Sequence, residues 1–179
     1  PVDEPMQLSA HQPARLVDFL LFNDVQVEKA SESFTFNGAA YPKGTYVVWM
    51  DQPKRGLANM ILEDGLDVSG IEGIEFYSPP TAWSHPLLWG VTRARMEDKQ
   101  SIKTSVVNKA DAPSGFVESG KTDYYAYMPT CLAAFKATND MLNRGMTLYR
   151  SKSSGTFILP ANSSIANELA NTWALDVYF

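Results

Sequence analysis

The sequence predicts an α/β fold: a mixed sheet flanked by helices, built from two helix–strand–strand–helix repeats, about 14–68 and 130–179, with a β-rich insertion, about 69–129, between them. Three observations predict it. Apolar residues recur at helical spacing in several separate stretches, short runs of β-formers lie between those stretches, and the order of elements near the start matches the order near the end. For 179 residues a single domain spanning 1–179 is the expectation, with two small halves as the alternative.

The first helix carries Leu16, Val17, Leu20 and Leu21 on one face, with Ser9 or Gln12 as cap and Pro13 in its early turns. Asn23-Asp24 breaks it. Val25 and Val27 alternate as a short strand, and Phe34 and Phe36 as another. The turn Tyr41-Pro42-Lys43-Gly44 launches Thr45 to Met50, rich in β-formers. Asp51-Gln52-Pro53 then starts a helix with Leu57, Ala58, Ile61 and Leu62 as its stripe, stopped at Gly65.

Near the end, Thr130 caps a helix carrying Leu132, Phe135 and Leu142, and Gly145 stops it. Met146 and Leu148 alternate as a strand, Ser151 to Gly155 turn, and Thr156 to Leu159 form a second strand ended by Pro160. Asn162 or Ser163 caps a last helix with Ile165, Ala166, Leu169 and Ala170 on one side. Leu175, Val177 and Phe179 alternate as the final strand.

The two copies align in detail. Val25 to Met146 is an offset of 121, Gly44 to Gly155 one of 111, and Leu66 to Leu175 one of 109. The first copy therefore holds ten extra residues around Phe34 to Lys43. Matched order, turn glycines and apolar spacing favour duplication over chance likeness. In the middle, Ile74 to Phe76 and Leu88 to Met96 read as strands, the latter placing Val91, Arg93 and Arg95 on one face. Polar Glu97 to Lys121 reads as an exposed loop or hairpin, and Tyr124 to Met128 as a strand leading into the second copy.

Hydrophobic content of 45% is ample for a core, so disorder is excluded. A net charge of -5 and scattered Lys and Arg argue against nucleic acid, which needs concentrated cations. No apolar run reaches the ~18 residues of a membrane span. Cys131 is the lone cysteine, so no intrachain disulfide forms, and its place at the start of an apolar helix marks a buried structural thiol. His11 and His85 have neither a Glu three residues on nor a second His or Cys at metal-ligand spacing. Nucleophile-elbow, dinucleotide and phosphate-loop patterns are absent from the string. No catalytic residue, metal ligand or cofactor is therefore assigned.

The residues that invite a binding role are Trp83 and His85, on the Pro-bounded loop Ala82-Trp83-Ser84-His85-Pro86, and Asp51 with Gln52, at a strand end before a helix. The competing explanations are an aromatic plug over the sheet for the first pair and simple capping for the second. Asn162-Ser163-Ser164 matches the glycosylation sequon and serves equally as a helix cap.

Lys43-Gly44-Thr45-Tyr46-Val47-Val48 through Gln52-Pro53 to Leu57, Ala58 and Ile61-Leu62-Glu63 resembles a segment downstream of the catalytic domain in bacterial zinc carboxypeptidase-like proteins, of the carboxypeptidase A type. Thr81 to Val91 and the second copy, from Tyr127-Met128-Pro129 to Leu159, resemble the later stretches of the same region in those proteins. The likeness spans most of residues 16 to 179 through hydrophobic motifs. The family's Tyr-Asp-x-Thr-Ala-Trp form reads Tyr77-Ser78-Pro79-Pro80-Thr81-Ala82-Trp83 here. The resemblance implies a non-catalytic accessory region of a secreted or periplasmic zinc metallopeptidase. Its partners would be the parent catalytic domain and peptide or cell-wall material, with zinc held only in that catalytic domain. A stand-alone small-ligand or glycan-binding module is the alternative expectation.

Overall fold

A computed structural model describes residues 7, 9–65, 70, 72, 73 and 84–179. The α/β class holds: helices alternate with strands that fall into three antiparallel sheets. By internal packing the chain divides into two compact units, one holding Gln12–Ala110 and the other Asp111–Phe179.

The first unit begins with α1 (His11–Phe22), whose Leu16, Val17 and Leu20 are buried, as their spacing requires. Then come β1 (Val27–Ala30), β2 (Phe34–Phe36), β3 (Ala39–Tyr41), β4 (Tyr46–Val47), α2 (Arg55–Leu62), α3 (His85–Trp89) and β5 (Thr104–Val107). β1 is central, with β4 on one side and β5 on the other. The β2–β3 hairpin lies within the stretch Phe34 to Lys43. Asn37 and Gly38 at its tip both take positive φ, as a two-residue hairpin turn demands, and Phe34 stacks on Tyr41 at 5.0 Å. Leu16, Val17, Leu20, Val25, Val27, Ala58, Ile61, Val107 and Ala110 form the core.

One reading of this region is corrected and another is narrowed. Leu88 to Met96 is not a strand: α3 ends at Trp89 and residues 91–96 are irregular. Ser84 accepts from the Leu87 amide, Pro86 sits in the first turn, and Gly90 closes the helix with φ 66°. These local stop and start signals outweigh the β-formers just beyond them. Thr104–Val107 lies in the segment read as an exposed loop or hairpin, and forms a strand that pairs with all four residues of β1. Leu66, matched to Leu175 in the comparison of the two halves, and the strand read at Ile74 to Phe76 lie outside the described residues.

The second unit contains β6 (Tyr124–Tyr127), α4 (Leu132–Asn143), β7 (Tyr149–Arg150), β8 (Phe157–Pro160), α5 (Ser163–Asn171) and β9 (Val177–Tyr178). The sheet order is β7-β8-β6-β9, antiparallel between every hydrogen-bonded pair. β6 and β7, joined through α4, are separated by β8, and β8 and β9, joined through α5, are separated by β6. This is the split βαβ arrangement. The strand read at Met146 and Leu148 lies one step later, at Tyr149–Arg150. Met146 and Leu148 instead pack from an irregular stretch against the core.

Both helices cover one face of this sheet. Tyr125, Tyr127, Phe157, Leu159 and Val177 point into a core closed by Ala134, Ala137 and Met141 of α4 and Ala166 and Leu169 of α5. Cys131, buried and free, precedes α4. Tyr127 is fully buried, and its hydroxyl meets Thr138 Oγ1 at 2.6 Å. Thr138 in turn donates to the Ala134 carbonyl, so the buried pair is satisfied. Beside β9 a strap from Gly115 to Gly120 adds a parallel bridge, Val117 to Val177. Both α1–β1–β4–α2 and α4–β7–β8–α5 thus place an antiparallel strand pair between two helices. The third strand joins β1 in the first case and β8 in the second.

Candidate functional site

Gln52 is buried and all of its amide is engaged. Nε2 donates to the Trp49 carbonyl at 2.7 Å and the Gln26 carbonyl at 3.0 Å, while Oε1 accepts from the Gln26 amide at 2.8 Å. The pairing of Glu28 with Val47 puts Gln26 opposite Trp49 at the next rung. Gln52 bridges that rung with its side chain, which is why regular pairing stops at Val47. Asp51, one residue before, is exposed and meets Lys99 Nζ at 2.6 Å. The Lys99 ammonium holds its carboxyl below the ordinary Asp range.

The same ammonium lies 5.3 Å from the Trp49 ring centroid. The indole donates from Nε1 to Glu28 Oε2 at 2.9 Å, and the Thr104 hydroxyl donates to that same oxygen. Asp51, Lys99, Trp49, Glu28 and Thr104 therefore form one chain of contacts beside the β4-β1-β5 sheet. It is a chemically mixed group in which the charges are already paired.

His85 opens α3. Its ring stacks on Phe19 of α1 at 5.0 Å and meets Trp89 edge-on at 5.3 Å. The Arg15 guanidinium lies over the Trp89 ring, 4.1 Å from its centroid. His85 Nδ1 is buried and without a hydrogen-bond partner among the described residues. The imidazole thus packs α3 onto α1. Trp83, its sequence companion, lies outside the described residues.

The second unit carries an apolar feature on its sheet. Residues of β6, β8, β7 and β9 that point away from the helices are Tyr124, Ala126, Ile158, Tyr149 and Tyr178, paired across the sheet in register. Tyr124 and Tyr149 are each 52% exposed and meet edge to face at 6.4 Å. Phe116 of the strap, 47% exposed, packs edge-on against Tyr178, itself 39% exposed. At about 150–250 Å² per aromatic side chain, these four rings present roughly 400 Å² to solvent. No charged side chain stands at the paired positions of this face. Sequence reasoning missed it because Tyr124-Tyr125-Ala126-Tyr127 is apolar at every position. Only the register shows which tyrosines face the helices.

Among the described residues, no group of three His, Cys, Asp or Glu side chains is arranged to hold a metal ion. Among them also, no helix is long and apolar enough to cross a membrane. In comparison with known proteins, no family model, curated protein or solved structure matches the chain.

Proposed function

We propose that this chain is a non-catalytic accessory module of an exported zinc carboxypeptidase-like protein, and that the outer face of its second sheet docks the parent catalytic domain. The aromatic face carries this reading. Exposed apolar patches of a few hundred Å² mark contact surfaces. Its roughly 400 Å² is about half of what one side of a standard independent interface buries. A partner on the same polypeptide needs less area, because tethering supplies a high effective concentration. The sequence resemblance names that partner as a peptidase domain, with zinc and the catalytic Glu on its side of the contact.

Hydrogen exchange on the isolated chain and on the full-length parent tests the proposal. Amides of β6 and β8 gain protection in the parent, and Tyr124→Ser with Tyr149→Ser removes the gain while the isolated chain keeps its stability. Unchanged exchange of the sheet in the parent overturns it, as does peptidase activity with zinc uptake by the isolated chain.

A second reading, a glycan or small-ligand module, is favoured by Trp49, an indole flanked by a carboxylate and an ammonium. A saturable change of indole fluorescence with neutral oligosaccharides, abolished by Trp49→Phe, would support that alternative instead.

A further inference from the structure

The β7–β8 loop has no place in the docking proposal, and its chemistry differs from the rest of the chain. From Arg150 to Thr156 it holds two cations and four hydroxyl side chains. Between Met141 and Asn167 there is no Asp or Glu, in a chain with 20 acidic against 15 basic residues. The third cation of that stretch, Arg144, is neutralised by Asp140 and Glu168. Arg150 and Lys152 have no carboxylate partner among the described residues.

The loop folds its cations around one concavity. Arg150, Ser151, Lys152, Ser153, Ser154 and Gly155 line an open hollow of about 590 Å³. The Gly155 amide donates to the Ser151 carbonyl at 3.0 Å and the Ser151 amide to the Thr156 carbonyl at 2.9 Å, which closes the turn. The Ser154 amide is held by Ser151 Oγ at 3.3 Å. The amides of Lys152 and Ser153 have no acceptor among the described residues. Gly155 has φ 74°, and a Cβ there would stand 3.3 Å from Arg150 Nη2, so the guanidinium lies directly over the glycine. It is oriented by its Nε bond to the Gly155 carbonyl and its place 5.9 Å from the Phe157 ring.

We infer that this loop binds a tetrahedral oxoanion, a phosphate or sulfate group, between the Arg150 guanidinium, the Lys152 ammonium and the free amides of Lys152 and Ser153. Two uncompensated cations match a dianion, and donors from side chains and backbone together ask for more acceptor directions than a carboxylate supplies. The site is open to water, so binding is weak, with a Kd on the order of 1–10 mM.

Titration of the whole chain with inorganic phosphate at constant ionic strength, followed by amide NMR shifts, tests the site. Saturable shifts confined to residues 150–156 are expected, with acetate at least several-fold weaker. Lys152→Ala, which removes an exposed side chain with no hydrogen bond or ion pair among the described residues, weakens phosphate about fivefold or more. Arg150→Lys keeps the charge but loses the fork, and weakens it about threefold. Glycerol phosphate binding as well as inorganic phosphate assigns the site to a phosphoryl group on a larger molecule; preference for the inorganic ion assigns it to the free anion. Non-saturating shifts, shifts shared with the Lys99 and Lys103 segment, or an unchanged Kd in Lys152→Ala overturn the inference.

Discussion

Replacing Gln52 tests whether this residue is a brace between two strands or a free recognition group. Its three hydrogen bonds stand where the Gln26–Trp49 rung of the ladder would be. Each intramolecular bond contributes about 0.5–1.5 kcal/mol net, so three contribute about 3 kcal/mol. Gln26 is exposed and water regains part of its bonding, which leaves about 2–3 kcal/mol for Gln52→Ala. In urea that loss moves the midpoint of the first unit down by roughly 1–2 M. Gln52→Glu keeps an acceptor for the Gln26 amide but sets a carboxylate oxygen against two carbonyls. Its loss is therefore largest near neutral pH and shrinks as the new carboxyl protonates. Urea unfolding gives the free energies, and exchange of the Gln26 amide localises them. A loss below about 1 kcal/mol with unchanged exchange at Gln26 refutes the brace and returns Gln52 to the candidate ligand contacts.

Three further outcomes concern the second unit. Burial pushes the Tyr127 phenol above its ordinary value of 10.0, against a smaller opposing effect of the Thr138 hydrogen bond. The folded state therefore holds that proton more tightly, and its stability is complete below pH 10 and is lost as pH rises through the folded value. Tyr127→Phe flattens this alkaline loss in pH-dependent denaturation, leaving a smaller slope from Tyr178, and costs about 1 kcal/mol at pH 7 because Thr138 keeps its Ala134 bond. Asn162→Ala removes the acceptor for the Ser164 and Ile165 amides and costs about 1 kcal/mol, read as faster exchange of those two amides. Gly115→Ala drives a Cβ into the Leu175 carbonyl, which is backbone and has little room to yield. The strap lifts, and exchange rises steeply at the Val177 and Glu118 amides, which donate to the Phe116 and Val177 carbonyls.

Helices were the most legible elements. The stripes on α1, α2 and α5, the stop at Gly145 and the Asn162 cap are each written within a few neighbouring residues. On α4 the reading is corrected: Leu132, Phe135 and Leu142 are exposed, and the small residues Ala134 and Ala137 with Met141 face the core, while α2 ends at Leu62, before Gly65. The tip of the β2–β3 hairpin is likewise local chemistry, an Asn37-Gly38 turn. Strands were less legible, because a strand is completed by a partner far along the chain. β5 carries no clean alternation and exists by pairing with the distant β1, Thr104 opposite Ala30 and Val107 opposite Val27, with a side-chain bond from Thr104 to Glu28 besides. β7 sits beyond the Met146–Leu148 alternation because its rung is set by Ile158.

The candidate contacts divide in the same way. Sequence spacing placed Asp51 and Gln52 at a strand end, but the strand register showed that Gln52 spends its amide on Gln26 and Trp49 while Asp51 spends its charge on Lys99. His85 was visible as a loop imidazole, and only packing set it against Phe19. By itself, the sequence determined what short-range chemistry can specify: the α/β class, the helices, the acidic balance and the apolar segments. The tertiary structure alone decided which face of each apolar strand is buried, since alternation carries no information where every residue is apolar. For that reason Tyr125 and Tyr127 lie in a core, while Tyr124, Tyr149 and Tyr178 stand on its outside.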